Sequence, residues 1–376
     1  MKFTKLLLSF CLVTSAALVS ASPASARELK LGVGLPPGSA AYYGLEVFAK
    51  TLKEKSAGEL EVKLFPLSLL GLSQMFAGVR DGVVDIGLVL SPMFASELPE
   101  TQLSIDLAML GTNTFAMAGA STEYNFTCQE CLAERLKYNQ VYLGSSASAP
   151  SLIMSNKKIV TSEELKGKKL RVAAAPWSRW TQHFSGVAMS LSANEVFEAL
   201  SQGTIDGTIQ SATELSALRL IDVVKHITTD IPGGTYHGID NNNVNRKTWR
   251  SLTEPQRRAF LDASAVSVAA VTWKYVSDGT NNLKQAQQKG IQIHQAPPDV
   301  LARSKAFIEA DLATVAQAAE KTFGTKNATQ KIARFRQLVA KWEKLTPADS
   351  NMEISALAEI YRREIFSKID AKTYGL

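Results

Sequence analysis

Two rhythms of apolar and polar residues alternate along this chain. ELKLGVG (28–34) and LEVKLFP (60–66) repeat every second residue, which predicts strands with one buried face. Between and after them, residues 45–56 and 73–80 carry apolar positions at helical spacing, and Ser39 is placed to cap the first of these helices. DGVVDIGLV (81–89) then reads as a helix end, a Gly stop and a third strand. The same order returns at 168–211. Leu170-Arg171-Val172 predicts a strand carrying one charge, and Val196, Phe197 and Leu200 mark a helix ended at Gly203. TIDGTIQS continues as a strand. RDGVVDIGLVL and SQGTIDGTIQS thus match element for element, each with an Asp before its strand. Two α/β halves of similar design follow.

The rest of the pattern suggests how the halves are joined. Residues 115–138 read as helix broken by a cysteine loop, and 140–144 as a strand. The small polar run SSASAPS leads into a strand at 152–155 and forms a first crossing between domains. A helix start with a Ser cap lies in Thr161-Ser162-Glu163-Glu164-Leu165. Ile231-Pro232-Gly233-Gly234 forms a second crossing, and two connecting strands give the geometry of a hinge. Residues 27–149 and 232–270 are then assigned to domain I, and 150–231 with 271–376 to domain II. YHGIDNNNVN (236–245) is either a surface turn or a strand end offering amides to a ligand. Residues 249–290 read mostly as one helix, opened by Thr253-Glu254-Pro255 and long enough to reach both domains. Amphipathic helices follow at 298–323, 329–345 and 354–370.

Composition narrows the function. Lys2 and Lys5, an apolar run from Leu6 to Val19 and Ala24-Ser25-Ala26 make residues 1–26 a secretory signal, too short in its apolar part to span a bilayer. Without it the chain has 39 Lys and Arg against 35 Asp and Glu. That mild excess, spread without a basic run, argues against nucleic-acid binding and supports at most a preference for anions. Cys128 and Cys131 predict a small disulfide in an oxidising compartment. The Gly32 and Gly34 pair is not a dinucleotide fingerprint, because Pro36 and Pro37 remove the backbone donors a phosphate needs. The four His show no metal spacing, and no nucleophile-elbow, phosphate-loop or calcium-loop pattern occurs. No cofactor is expected, and a secreted enzyme acting on small organic acids is the alternative to a binding protein.

With these elements in order, the chain resembles the extracytoplasmic solute-binding proteins of tripartite ATP-independent periplasmic (TRAP) transporters, the DctP-like family. The resemblance rests on LPPGSAAYYGLEVFAKTLKEKSAGELEVKLFP, GVVDIGLV, SNKKIVTSEELKGKKLRV, NEVFEALSQGTIDG and VNRKTWRSLTEPQRRAF. It implies a periplasmic clamshell of two α/β domains joined by hinge strands and a long domain-spanning helix. It further implies an organic-acid ligand, delivery to a membrane permease and no insertion of this chain into the membrane. A ligand-binding sensor receptor is a further alternative.

The family's carboxylate-binding Arg corresponds to Arg171, whose planar donor fork matches two carboxylate oxygens. The family's Asn after the IDG turn corresponds to Gln210, and its frequent second Arg to Ser151. A common aromatic is Ala193 here, which frees volume. One clamp, added room and the indoles of Trp177 and Trp180 favour a monocarboxylate with a bulky, aromatic or hydroxylated body. Closure about Ala149 and Pro232 requires contacts from the other domain, for which Ser39, Tyr42, Ser91 and Asn241 are the candidates.

Overall fold

The computed structural model describes residues 26–347 and 352–376, so the expected signal lies outside the described residues apart from Ala26. Among the described residues, twelve strands build two sheets. The first contains β1 (Arg27–Gly32), β2 (Leu60–Phe65), β3 (Ile86–Leu90), β4 (Gln140–Val141), β5 (Ser145–Ser146) and β11 (Ile239–Asn245), in the order β2-β1-β3-β11-β4 with β5 joined to β11. The second contains β6 (Ser151–Ser155), β7 (Lys169–Val172), β8 (Val187–Ser190), β9 (Gly207–Ser211), β10 (His226–Pro232) and β12 (Gln292–Gln295), in the order β12-β10-β6-β9-β7-β8. In each sheet the strands joined by helices run parallel. Those arriving from the other lobe, β11 and β6, run antiparallel to their neighbours.

The two matching sequence turns are the same structure. Gly82 and Gly203 end their helices at φ of 75° and 69°, a region open to Gly. Three residues later Asp85 Oδ2 accepts from Lys30 N at 2.9 Å, and Asp206 Oδ2 accepts from Lys169 N at 2.9 Å. Each Asp also donates its own N–H to the carbonyl of that same Lys. The carboxylate therefore staples the incoming turn to the neighbouring parallel strand, past the middle of β1 and at the first residue of β7.

The lobes are connected at two strands and a helix. The strand crossings hydrogen-bond to each other: Ser148 N to Tyr236 O at 2.8 Å, Ser151 N to Gly234 O at 2.9 Å and Gly233 N to Ser151 O at 3.1 Å. The long helix, Glu254–Gln288, is capped by Thr253 Oγ accepting from Gln256 N and runs roughly 50 Å at 1.5 Å per residue. Its first half lies on the helix Ala40–Lys55 so closely that a Cβ on Gly44 would stand 2.1 Å from Val271 Cγ2. Its second half holds the other lobe, where Asn282 Nδ2 donates to Ala212 O at 3.0 Å and Thr213 O at 3.1 Å.

The assignment of 271–376 to domain II does not hold for its last part. The helix Ala328–Leu345 packs Phe335 and Trp342 into the core of the first lobe, and Tyr361 donates to Phe115 O at 2.8 Å. Trp342 lies where Gly119, in the helix Thr114–Thr127, leaves room, since a Cβ there would come within 2.3 Å of the indole. Trp249 Nε1 bonds Tyr374 O at 2.7 Å, bringing the C-terminal residues to the first sheet as well. Among the described residues, no helix is long and apolar enough to cross a membrane.

Candidate functional site

A cavity of about 410 Å³ opens between the lobes. Leu35, Ser39, Leu72, Leu90 and Met93 line it from the first lobe. Arg171, Leu191, Gln210, Ser211 and Glu214 line it from the second, with Ser148, Ser151 and Tyr236 of the crossings and Tyr275 of the long helix between them. Arg171 and Glu214 are the only charged side chains among the described lining residues.

Arg171 reaches this wall from the interior strand β7, between β8 and β9, and is 7% exposed. Its Nε donates to Leu191 O at 3.0 Å and its Nη1 to Gln210 Oε1 at 2.9 Å. Both partners are neutral. Among the described residues it forms no ion pair and its Nη2 makes no hydrogen bond. A buried cation without a counter-charge is costly, and burial holds this guanidinium below its usual range, with Glu214 offsetting part of the effect.

Because Gln210 turns its carbonyl toward Arg171, its amide Nε2 is left buried without a partner. Ser211 Oγ next to it is also unpaired. Buried donors are ordinarily satisfied, so these two atoms keep hydrogen-bonding capacity that the described residues do not meet. Glu214 opens the short helix Glu214–Ala217 directly after β9 and is partly buried in the cavity wall. Its carboxyl has no hydrogen bond or ion pair among the described residues. Burial pushes it up to about 7, and the charge of Arg171 acts in the opposite direction.

The residues expected at the site divide into two groups. Arg171, Gln210, Ser39 and Ser151 line the cavity, as does Ala193, the small residue expected to free volume. Ser39 also caps its helix, accepting from Tyr42 N at 3.2 Å. Tyr42, Ser91, Asn241 and Trp177 do not line it, and each is engaged elsewhere. Tyr42 packs on the first core. Ser91 donates to Asp240 Oδ2 at 2.5 Å. Asn241 Nδ2 donates to Ser146 Oγ at 2.8 Å, so the Asn run is a buried strand rather than a turn or a ligand contact. Trp177 is buried with Nε1 on Gly233 O at 3.0 Å, its ring stacked at 6.3 Å behind Tyr236, and Trp180 bonds Ser304 Oγ in the same core. The wall expected from indoles is made instead by Tyr236, Tyr275 and Leu191. Sequence reasoning missed these and Glu214, although an acid four residues after Gln210, just past the strand end, was a signal.

Cys128 and Cys131 are joined as a disulfide at the start of the helix Gln129–Lys137, far in the chain from any lining residue. Among the described residues, no group of three or more His, Cys, Asp or Glu gathers as a metal site would.

A paired-lobe fold with a buried, unneutralised Arg in its cleft can be compared with known proteins. A solute-binding protein of Albidiferax ferrireducens is 22% identical over 219 residues, 58% of this chain, and the match spans 64% of that relative, just under two thirds. The structure of a TRAP periplasmic solute-binding protein from Bordetella bronchiseptica with bound (R)- and (S)-mandelate matches at a TM-score of 0.73 and 20% identity, covering 84% of this chain and 99% of that one. That of a TRAP solute-binding protein from Rhodoferax ferrireducens with copurified benzoate matches at 0.75 and 20%, covering 85% and 99%. Residues 31–321, from the first strand to the end of the helix after β12, match the profile of the bacterial extracellular solute-binding proteins, family 7, also called DctP. The fold, the cleft and this match agree, and the chain belongs to the DctP family, family 7 of the bacterial extracellular solute-binding proteins.

Proposed function

We propose that this protein captures a monocarboxylate with an apolar, aromatic or hydroxylated body in its interlobe cleft and delivers it to a TRAP membrane permease. The observation that carries this is the buried guanidinium of Arg171, without a carboxylate partner, beside the unpaired amide of Gln210. A ligand carboxylate would receive donors from both and neutralise the cation, and such charge-assisted bonds are stronger in a dry cleft than in water. The first lobe contributes apolar groups and Ser39 but no charge, which suits one acid group and an apolar body. The mandelate and benzoate held by two structural neighbours have this chemistry.

The work is done in the periplasm after removal of the leader, by binding rather than turnover. Closure of the lobes follows occupancy, because residues from both sides line the cavity and a ligand can favour only the state in which it touches both. Thermal-shift and calorimetric titrations with benzoate, mandelate and succinate test the reading, with chromatography of the recovered ligand. Benzoate or mandelate is expected to stabilise the protein and to be recovered intact. Stabilisation by succinate alone would overturn the monocarboxylate assignment, and a chemically altered ligand would overturn the binding-only role.

A further inference from the structure

Glu214 has no part in that reading, yet it is the second of the two charges in the cleft. Its position is built. Thr213, the residue before it, bonds Tyr275 O through Oγ1 at 2.9 Å, and Asn282 holds the carbonyls of Ala212 and Thr213, so the segment is tied to the long helix. With its carboxyl unpaired and lining the cavity beside the unpaired Ser211 hydroxyl, the side chain is held without a protein partner.

We propose that Glu214 is a specificity-determining residue that bars a second carboxylate from the cleft and accepts a hydrogen bond from a hydroxyl or N–H group on a monocarboxylate ligand. This rests on the carboxylate reading of Arg171. Two lone-pair oxygens facing a low-dielectric cavity repel a second anion and attract a donor, and only one cation is present to compensate.

Capture is then linked to a proton. In the empty cleft, Arg171 on β7 partly supports the ionised form of Glu214. A ligand carboxylate that neutralises Arg171 removes this support and adds a negative charge nearby. With a ligand that brings no donor, such as benzoate, Glu214 therefore takes one proton from solvent on binding; a ligand hydroxyl or N–H bonded to it keeps the carboxylate ionised, and a second ligand carboxylate adds the cost of neutralising it. The other titratable groups facing it are Tyr236 of the crossing and Tyr275 of the long helix, both kept neutral by burial. Glu195, after β8, acts on Arg171 and favours its charged form. With the empty-site carboxyl near 7, benzoate affinity falls as pH rises above neutrality, approaching about tenfold per pH unit for one linked proton.

The test uses benzoate, meta-hydroxybenzoate and isophthalate, which share a ring and differ by no group, a donor and a second acid. Calorimetry of the wild-type protein in buffers of different ionisation enthalpy reads proton uptake directly, and Glu214→Gln and Arg171→Gln are titrated beside it. The expected results are uptake approaching one proton with benzoate at about pH 7.5, and affinity in the order meta-hydroxybenzoate, benzoate, isophthalate. In Glu214→Gln the pH dependence should disappear and isophthalate should gain about tenfold or more relative to benzoate. Absence of proton uptake by the wild type, or unchanged discrimination against isophthalate in a folded Glu214→Gln protein, overturns this inference alone, provided Arg171→Gln abolishes binding. Binding of benzoate that survives Arg171→Gln overturns the carboxylate reading beneath it.

Discussion

Replacing Arg171 with Gln separates holding a ligand from holding the fold. In the empty protein the substitution removes two hydrogen bonds from a charged donor to Leu191 O and Gln210 Oε1, at about 1.5–3 kcal/mol each. Against that loss stands the relief of a buried cation that no carboxylate neutralises. The two terms offset, so the empty variant should melt within a few degrees of wild type. Binding behaves differently. A carboxylate on the free Nη2 and the second Nη1 hydrogen makes a charge-assisted pair of about 3–5 kcal/mol, or roughly a hundred- to several-thousand-fold in Kd. Arg171→Lys keeps the charge without the fork and should fall between. Titration calorimetry with benzoate reads the affinities, and melting curves without ligand read the fold. Binding by Arg171→Gln within threefold of wild type would refute the reasoning. So would a large loss of stability with binding retained, which would make this Arg a structural residue.

Three further outcomes follow from the geometry. Asp240→Asn should cost about 3–5 kcal/mol in urea unfolding while leaving benzoate affinity of the folded protein unchanged, because Arg135 and Asp240, each 1% exposed and paired at 2.7 Å, are buried outside the cleft. Gly44→Ala should destabilise by about 1–3 kcal/mol or more, since its Cβ would lie 2.1 Å from Val271 Cγ2 and 2.9 Å from Val271 N, and equilibrium denaturation would show no change if the helices can part freely. The raised carboxyl of Glu214 stabilises the empty fold fully below the ordinary Glu range, and that contribution is lost as pH rises through about 7. Melting curves of wild type and Glu214→Gln should therefore diverge on the alkaline side, with the variant more stable by about 1–2 kcal/mol after allowing for partial exposure.

Arg171 was legible because a charge inside an apolar strand needs a partner, and Asp85 and Asp206 because each sits at a fixed step after a Gly stop. Ser39 was legible both as a helix cap and as a cleft residue, because it lies in the polar loop between the first strand and its helix. The Asn run misled because its partners are remote: Asn242 bonds Ser264, and Asn243 bonds Gln140, 103 residues away, so a polar stretch is satisfied inside a sheet. Trp177 was read as an apolar wall of the ligand site, but its indole N–H bonds a backbone acceptor in the hinge and its ring lies in the core behind Tyr236. The placement of residues 328–347 and 352–376 failed for a similar reason, since an amphipathic helix does not declare which core it will cover. Here a missing side chain at Gly119 decided it. Tyr275 gave no local sign at all, lying at mid-helix among residues equally suited to burial.

The long helix has a mechanical consequence. Val271 locks its middle turns against Gly44, and Asn282 locks its later turns to the segment bearing Glu214. Only about eleven residues, some three turns, lie between the two grips. Rotation of one lobe on the other must be absorbed as bending of that stretch or as slippage at one grip. The rod therefore acts as a spring under the cleft, and the segment carrying Glu214 is tied to its far grip through Asn282.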